Sequence, residues 1–207
     1  NKFINSAKKT IEIQADSIAS LINQIDKSFA EIGKKVSLLK GKLIVMGVGK
    51  SGHVGQKVSA TLASTGTPSF FIHPTDAAHG DLGMIAKDDA VLIFSNSGET
   101  KEVTEILPAL KRMTSDICSI TGNADSSIAK ASSVHLEVQV EKEACPHDLA
   151  PTSSTTASMV IGDALAISLI EEKNFSSEDF AKSHPAGELG KKLTTYVGDL
   201  AISGNKV

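Results

Sequence analysis

Five short apolar runs, Leu43–Met46, Ser69–Ile72, Ala90–Phe94, Ile117–Ile120 and Val134–Val138, are separated by stretches with helical spacing. That alternation restricts the chain to one class of architecture. Runs this short, bounded by turn residues, read as strands, and the stretches between them read as crossover helices. The runs are continuously apolar rather than alternating, so both faces of the sheet must be covered. That is the mark of a parallel sheet between helical layers, an α/β fold.

A five-stranded parallel sheet of flavodoxin-like order 2-1-3-4-5 is therefore expected. In that order the loops after the first and third strands meet at the switch point where open α/β sheets bind ligands. The first of these loops lies in Leu43–Gly55, where Gly47, Gly49 and Gly52 surround Lys50 and Ser51 and run into a helix start. Glycines let the backbone turn sharply and a ligand come close, and free first-turn amides attract an anion, so phosphate is expected here. The same spacing meets the dinucleotide pattern. That site, however, needs an acid closing the second strand, where the chain runs into His73-Pro74, and Asp76 comes too late. A triphosphate loop needs a glycine where Ile44 stands inside the strand.

The second loop, Ser95-Asn96-Ser97-Gly98-Glu99-Thr100, opens a helical stretch through Met113. Capping explains one hydroxyl at a helix start; three around a glycine suit a phosphate monoester. Between the loops, the segment His73–Gly83 leaves the second strand with two histidines, His73 and His79, and two aspartates. These histidines suit a sugar or a captured zinc ion, whereas His53 and His135 read as structural.

From Asn5 to about Leu38, apolar residues at helical spacing predict one or two amphipathic helices ahead of the sheet, covering it or a second subunit. After the last strand, a charged connection Glu141–Pro146 leads to a long helix opening at Pro151–Thr156 and running to about Glu172. That helix is apolar on most sides, predicting deep burial, and its Asp163 needs a partner. A short acidic helix over 176–182 follows, then a glycine-rich segment presenting His184.

At 207 residues with a net charge of −3 and no basic run, the chain has no electrostatic footprint for nucleic acid or for an anionic membrane. Cys118 and Cys145 have neither metal-ligand spacing nor a disulfide framework, and no apolar run is expected to span a bilayer, so a cytoplasmic location is expected. The start at Asn1 reads as trimmed rather than secretory.

The motifs Gly47–His53, Ala63–Pro68, His79–Gly83, Ser95–Glu99, Glu143–Pro146, Ala150–Thr155 and Ser183–Pro185 together resemble the sugar isomerase (SIS) domain family. Within it they resemble the arabinose-5-phosphate isomerases that feed synthesis of 3-deoxy-D-manno-octulosonate for lipopolysaccharide or capsule. The resemblance implies an aldose–ketose isomerase acting on ribulose 5-phosphate and arabinose 5-phosphate, a homo-oligomer of the tetrameric kind, with no required cofactor. It implies catalytic roles for Lys50, Glu102, Glu143 and His184, the last reaching a neighbouring subunit's site. Ser95, Asn96, Ser97, Gly98 and Thr100 fall at the family's phosphate loop. Gly49, Ser51, Gly66, Thr67, His73 and His79 fall at substrate-side positions, with His73 a contact for an inhibitory zinc. The implied organisation is a helical segment at 1–40, the sugar-phosphate domain at 41–194, and a tail at 195–207 leading toward a tandem pair of CBS modules. Ala186 and Glu188 stand where the family more usually has glycine and alanine. A non-catalytic sugar-phosphate-binding regulatory domain is the alternative on this fold, and a nucleotide-dependent oxidoreductase is disfavoured by the missing ribose acid.

Overall fold

In the computed structural model of the chain, residues 1–185 are described. The 195–207 tail and the Ala186 and Glu188 positions lie outside them. Two helices open the chain, α1 Lys2–Ser20 and α2 Lys27–Ser37, joined through a 3-10 turn at Leu21–Asn23. Asn1 and Asp26 cap them, accepting from the backbone N–H groups of Phe3 and Ser28. Strands and helices then alternate: β1 Leu43–Gly47, α3 Gly49–Ser64, β2 Ser69–Phe71, α4 Pro74–Ala78, β3 Ala90–Ser95, α5 Lys101–Thr104, α6 Leu107–Met113, β4 Ile117–Thr121, α7 Ser127–Ala131 and β5 Val134–Glu137. Helices α8 Ser153–Glu172 and α9 Ser177–Ser183 follow. The strands pair in parallel in the order β2-β1-β3-β4-β5, as the alternation requires.

The period of two along each strand divides the interior into two cores. Leu43 and Val45 of β1 join Ile32 of α2, Val58 of α3 and Leu165 of α8 on one face. Ile44 and Met46 join Val103 of α5, Leu110 of α6 and Ile128 of α7 on the other. Continuous burial holds for β1, β3 and β4 but not for the two edge strands: β2 is half-buried throughout, and β5 alternates, burying Val134 and Leu136 while His135 and Glu137 are half-exposed. His135 is structural, its Nε2 lying 2.9 Å from Thr121 Oγ1.

Two expectations need correction. The helical stretch through Met113 is broken into α5 and α6, because Pro108 has no N–H to donate to the carbonyl of Thr104 and so belongs in the first turn of a new helix. The other concerns α8, which is long and apolar enough to cross a membrane by length and composition, contrary to the expected absence of such a run. Packing supplies the reason for its composition: Ala157, Ile161, Leu165, Ala166 and Leu169 are buried in the first core, and Gly162 sits where a Cβ would collide with Val58 of α3. Its Asp163 finds the partner the sequence demanded in Lys57 of α3, an ion pair exposed enough to contribute little to stability.

Candidate functional site at the switch point

Helix α3 starts directly after β1 with Gly49, Lys50 and Ser51 in its first turn, and its N-cap, Val48, offers no side-chain acceptor. The first-turn amides are thus left for a ligand or water. Lys50 is exposed and Ser51 half-buried. Across the switch point β3 ends at Ser95. A cavity of about 150 Å³ lies between the two loops, lined by Lys50, Ser51 and Asn96 together with Pro151, Ser154 and Thr155 from the start of α8.

The β3 loop is braced from inside. Ser95 is buried; its Oγ lies 2.8 Å from Thr100 Oγ1 and accepts from Gly98 N–H at 3.1 Å. Its hydroxyl is therefore engaged within the loop, as simple capping would have it. Ser97 and Asn96 are exposed, and Ser97 Oγ accepts from Glu99 N–H while keeping its own proton. Gly98 has φ +68°, and a Cβ there would strike Ser126 at the start of α7. Neighbouring segments pin the loop further. Gly122 N–H donates to Asn96 O, Ile128 N–H to Gly98 O, and Ser127 N–H to the Glu99 carboxylate, whose pKa hydrogen bonding from Ser127 holds below its ordinary value.

Glu143 is the most heavily bonded of the expected residues. Its carboxylate accepts from Thr152 N–H at 2.7 Å, Thr152 Oγ1 at 3.0 Å and Ser154 N–H at 3.3 Å, and from the Ser154 hydroxyl. Its own N–H donates to Asp148 and the next N–H to Thr152 Oγ1. Burial pushes the carboxyl up, but the hydrogen bonds from Ser154 and Thr152 outweigh burial and hold it below its ordinary value. Glu143 thus fastens the first turn of α8, and through Ser154 it shapes the cavity wall beside Lys50. In sequence, the hydroxyls of Pro151–Thr156 read only as a helix-start signal. The available sign of this clasp was a cluster of hydroxyls following a glutamate at the end of a charged connection.

Glu102 is exposed in the first turn of α5. Beyond β2, His73 is the N-cap of α4, its Nδ1 accepting from Thr75 N–H at 3.2 Å, and His79 is exposed at the end of that helix. Among the described residues, no group of three or more His, Cys, Asp or Glu side chains converges as a metal site would require.

Gly66, Thr67 and His184 are not brought to this cleft. Gly66 and Thr67 precede β2, and Pro68 O accepts from Leu43 N–H at the opposite, N-terminal end of the parallel strands. His184 lies there too, because Ser183 Oγ donates to Ser64 O at 3.1 Å. The five residues of β1 separate the two ends, about 16 Å at the usual rise of a strand. His184 is half-buried, its ring stacked on Phe180 with centroids 3.9 Å apart. Its Nδ1 lies 2.9 Å from Phe180 O, and since a carbonyl only accepts, Nδ1 is the donor, while Nε2 makes no hydrogen bond among the described residues.

Comparison with known proteins identifies the family. Residues 39–168 match the SIS domain family model. Arabinose 5-phosphate isomerase KdsD of Pseudomonas aeruginosa is 53% identical over 202 residues, covering 98% of this chain and 62% of the relative. The enzyme of the same name from Escherichia coli K12 is 51% identical over 205 residues, covering 99% of this chain and again 62% of the relative. The chain thus spans less than two thirds of the length of these curated relatives. Among solved structures, an Escherichia coli CFT073 protein in complex with arabinose 5-phosphate is 43% identical, with a TM-score of 0.86, covering 89% of this chain and 98% of that one. With strand order, glycine turn and hydroxyl loop in agreement with that match, the chain belongs to the SIS domain family.

Proposed function

We propose that this chain interconverts D-ribulose 5-phosphate and D-arabinose 5-phosphate, the first step towards 3-deoxy-D-manno-octulosonate. The observation that carries this reading is the 53% identity to an arabinose 5-phosphate isomerase over 98% of this chain, joined to a switch-point cleft that holds a lysine, uncapped helix amides and a braced hydroxyl loop. The ketose loses a proton from C1, and the resulting enediolate takes one back at C2 while a proton passes between the two oxygens. Lys50 faces the developing oxygen charge. Of the three acid–base candidates, Glu143 has both oxygens engaged, whereas Glu102 is exposed and His184 has an Nε2 with no hydrogen bond among the described residues, on a ring stacked against Phe180. His184 Nε2 is the base this reading favours, with Glu102 beside the phosphate loop. Incubation with ribulose 5-phosphate and no added cofactor, followed by separation of the pentose phosphates, tests the activity. An unchanged substrate pool rules it out and leaves the regulatory sugar-phosphate-binding reading.

His184 and Lys50 lie at opposite ends of the strands of one sheet, so a complete site needs a second copy of the chain. Exposed apolar side chains along the N-terminal helices, Phe3, Ile11 and Ile22, support self-association, with a homotetramer as the form the family suggests. The phosphate is assigned to the β3 loop. Ser97→Ala is expected to raise KM roughly tenfold with kcat within about twofold, since a hydrogen bond to a charged group contributes about 1.5–3 kcal/mol. Steady-state kinetics on both substrates measures it.

Zinc is read as an inhibitor rather than a cofactor, because His73 and His79, at the two ends of α4, have no third ligand among the described residues. Chelation is expected to leave turnover unchanged, and stepwise zinc to reduce it. Activity lost on chelation and restored by zinc reverses the assignment.

A further inference from the structure

Helix α8 ends in a turn that serves the N-terminal end of the sheet, away from the cleft. Lys173 is its C-cap. Asn174, at φ +51°, donates to Glu171 O, and Phe175 N–H donates to Ile170 O, the paired bonds of a Schellman turn. That turn drops Phe175 onto Gly66, whose φ of +87° and contact with the ring leave no room for a Cβ. It also directs Lys173 Nζ to Thr67 Oγ1, 2.9 Å away.

The donors here outnumber the acceptors. Lys173 directs one of its three N–H protons to Thr67, and the Thr67 hydroxyl, accepting that proton, keeps its own. Among the described residues no carboxylate comes within ion-pair distance of Lys173. Burial lowers the amine's pKa, so the cation is partly stripped of water with no opposite charge in return. Capping alone does not need this arrangement, since an exposed lysine at a helix C-terminus meets the dipole without giving up its hydration. His184 is tied to the same loop through Ser183 and Ser64.

We propose that Lys173, oriented by Thr67, binds an oxyanion of the sugar-phosphate class at this end of the sheet, alongside His184, in the site completed by a neighbouring copy. The inference rests on the isomerase reading and adds a cationic binding residue to it. The test compares the full chain with Lys173→Met and Lys173→Arg variants, using arabinose 5-phosphate in turnover and in calorimetric binding, with melting temperature and oligomeric state alongside. For Lys173→Met, KM and the dissociation constant are expected to rise roughly tenfold or more while kcat stays within about twofold, and Lys173→Arg to return within about threefold of wild type. Wild-type protein that neither binds nor converts arabinose 5-phosphate defeats the isomerase reading and this inference with it. Wild-type protein that does both, with Lys173→Met equal to it in both, defeats this inference alone. A Lys173→Met variant that melts lower, assembles differently and loses kcat, with no recovery in Lys173→Arg, assigns the lysine a structural role instead.

Discussion

Replacement of Glu143 by alanine is expected to lower the melting temperature by about 6–12 °C, as a loss near 3 kcal/mol does in a chain of this size. The substitution leaves the N–H and hydroxyl donors of Thr152 and Ser154 without their shared acceptor and frees the first turn of α8. Four charge-assisted bonds sum to more than this on paper, but the site is half-exposed and water replaces part of what is lost. Activity should fall with stability, because Ser154 lines the cleft beside Lys50. The pH dependence follows from the direction of the shift. The folded carboxyl titrates below its ordinary value of 4.5, so its stabilisation is fully present above that value and disappears as pH falls through the lower folded one. Glu143→Gln should therefore unfold with a flatter acid limb than wild type. Thermal melts across acidic pH measure both effects. A variant that melts like wild type while losing only kcat makes Glu143 a direct participant in proton transfer rather than an anchor.

The sheet was legible because its three central strands are buried on both faces, so their residues had no alternative to a continuous apolar run. The edge strands depart from that rule: β5 needs apolar side chains only at Val134 and Leu136, and its Val-His-Leu-Glu sequence alternates as its burial does. The cleft was legible at Gly49, Lys50 and Asn96, where backbone chemistry and ligand chemistry require the same residue types. Ser95 shows the limit of that reasoning, since a hydroxyl that braces a loop and one that meets a phosphate are the same letter in the same motif. Lys173 depends on Thr67, 106 residues away, and on burial, neither of which has a local pattern. The separation of His184 from Lys50 was implied only through the family resemblance, because it follows from which end of the strands each loop occupies.

That separation carries the second large effect. Lys50→Ala and His184→Ala chains are each expected to lose about 10²–10³ in kcat, the usual cost of removing a group that meets the transition state. Mixed as unfolded chains and reassembled, they should recover activity well above either parent. Hybrids then contain some sites with an intact Lys50 from one chain and an intact His184 from the other. The readout is turnover in assemblies whose mixed composition has been verified by differential tagging. No recovery in such hybrids means that the two side chains act within one chain or not together.

Helix α8 runs from the clasp at Glu143 to the turn that carries Lys173, and it behaves as a gauge block between the two ends of the sheet. Its 20 residues fix a length of about 30 Å at the usual helical rise. Gly162 packs so closely against Val58 of α3 that a side chain there would collide with it. Loops at either end are free to change residue by residue, but the helix is not free to change in length. One added residue advances its end by about 1.5 Å and swings it through about 100°, turning Lys173 away from Thr67 and displacing the segment that bears His184. Residue changes in the loops can then alter the chemistry at either end of the sheet, while the span between those ends is held constant.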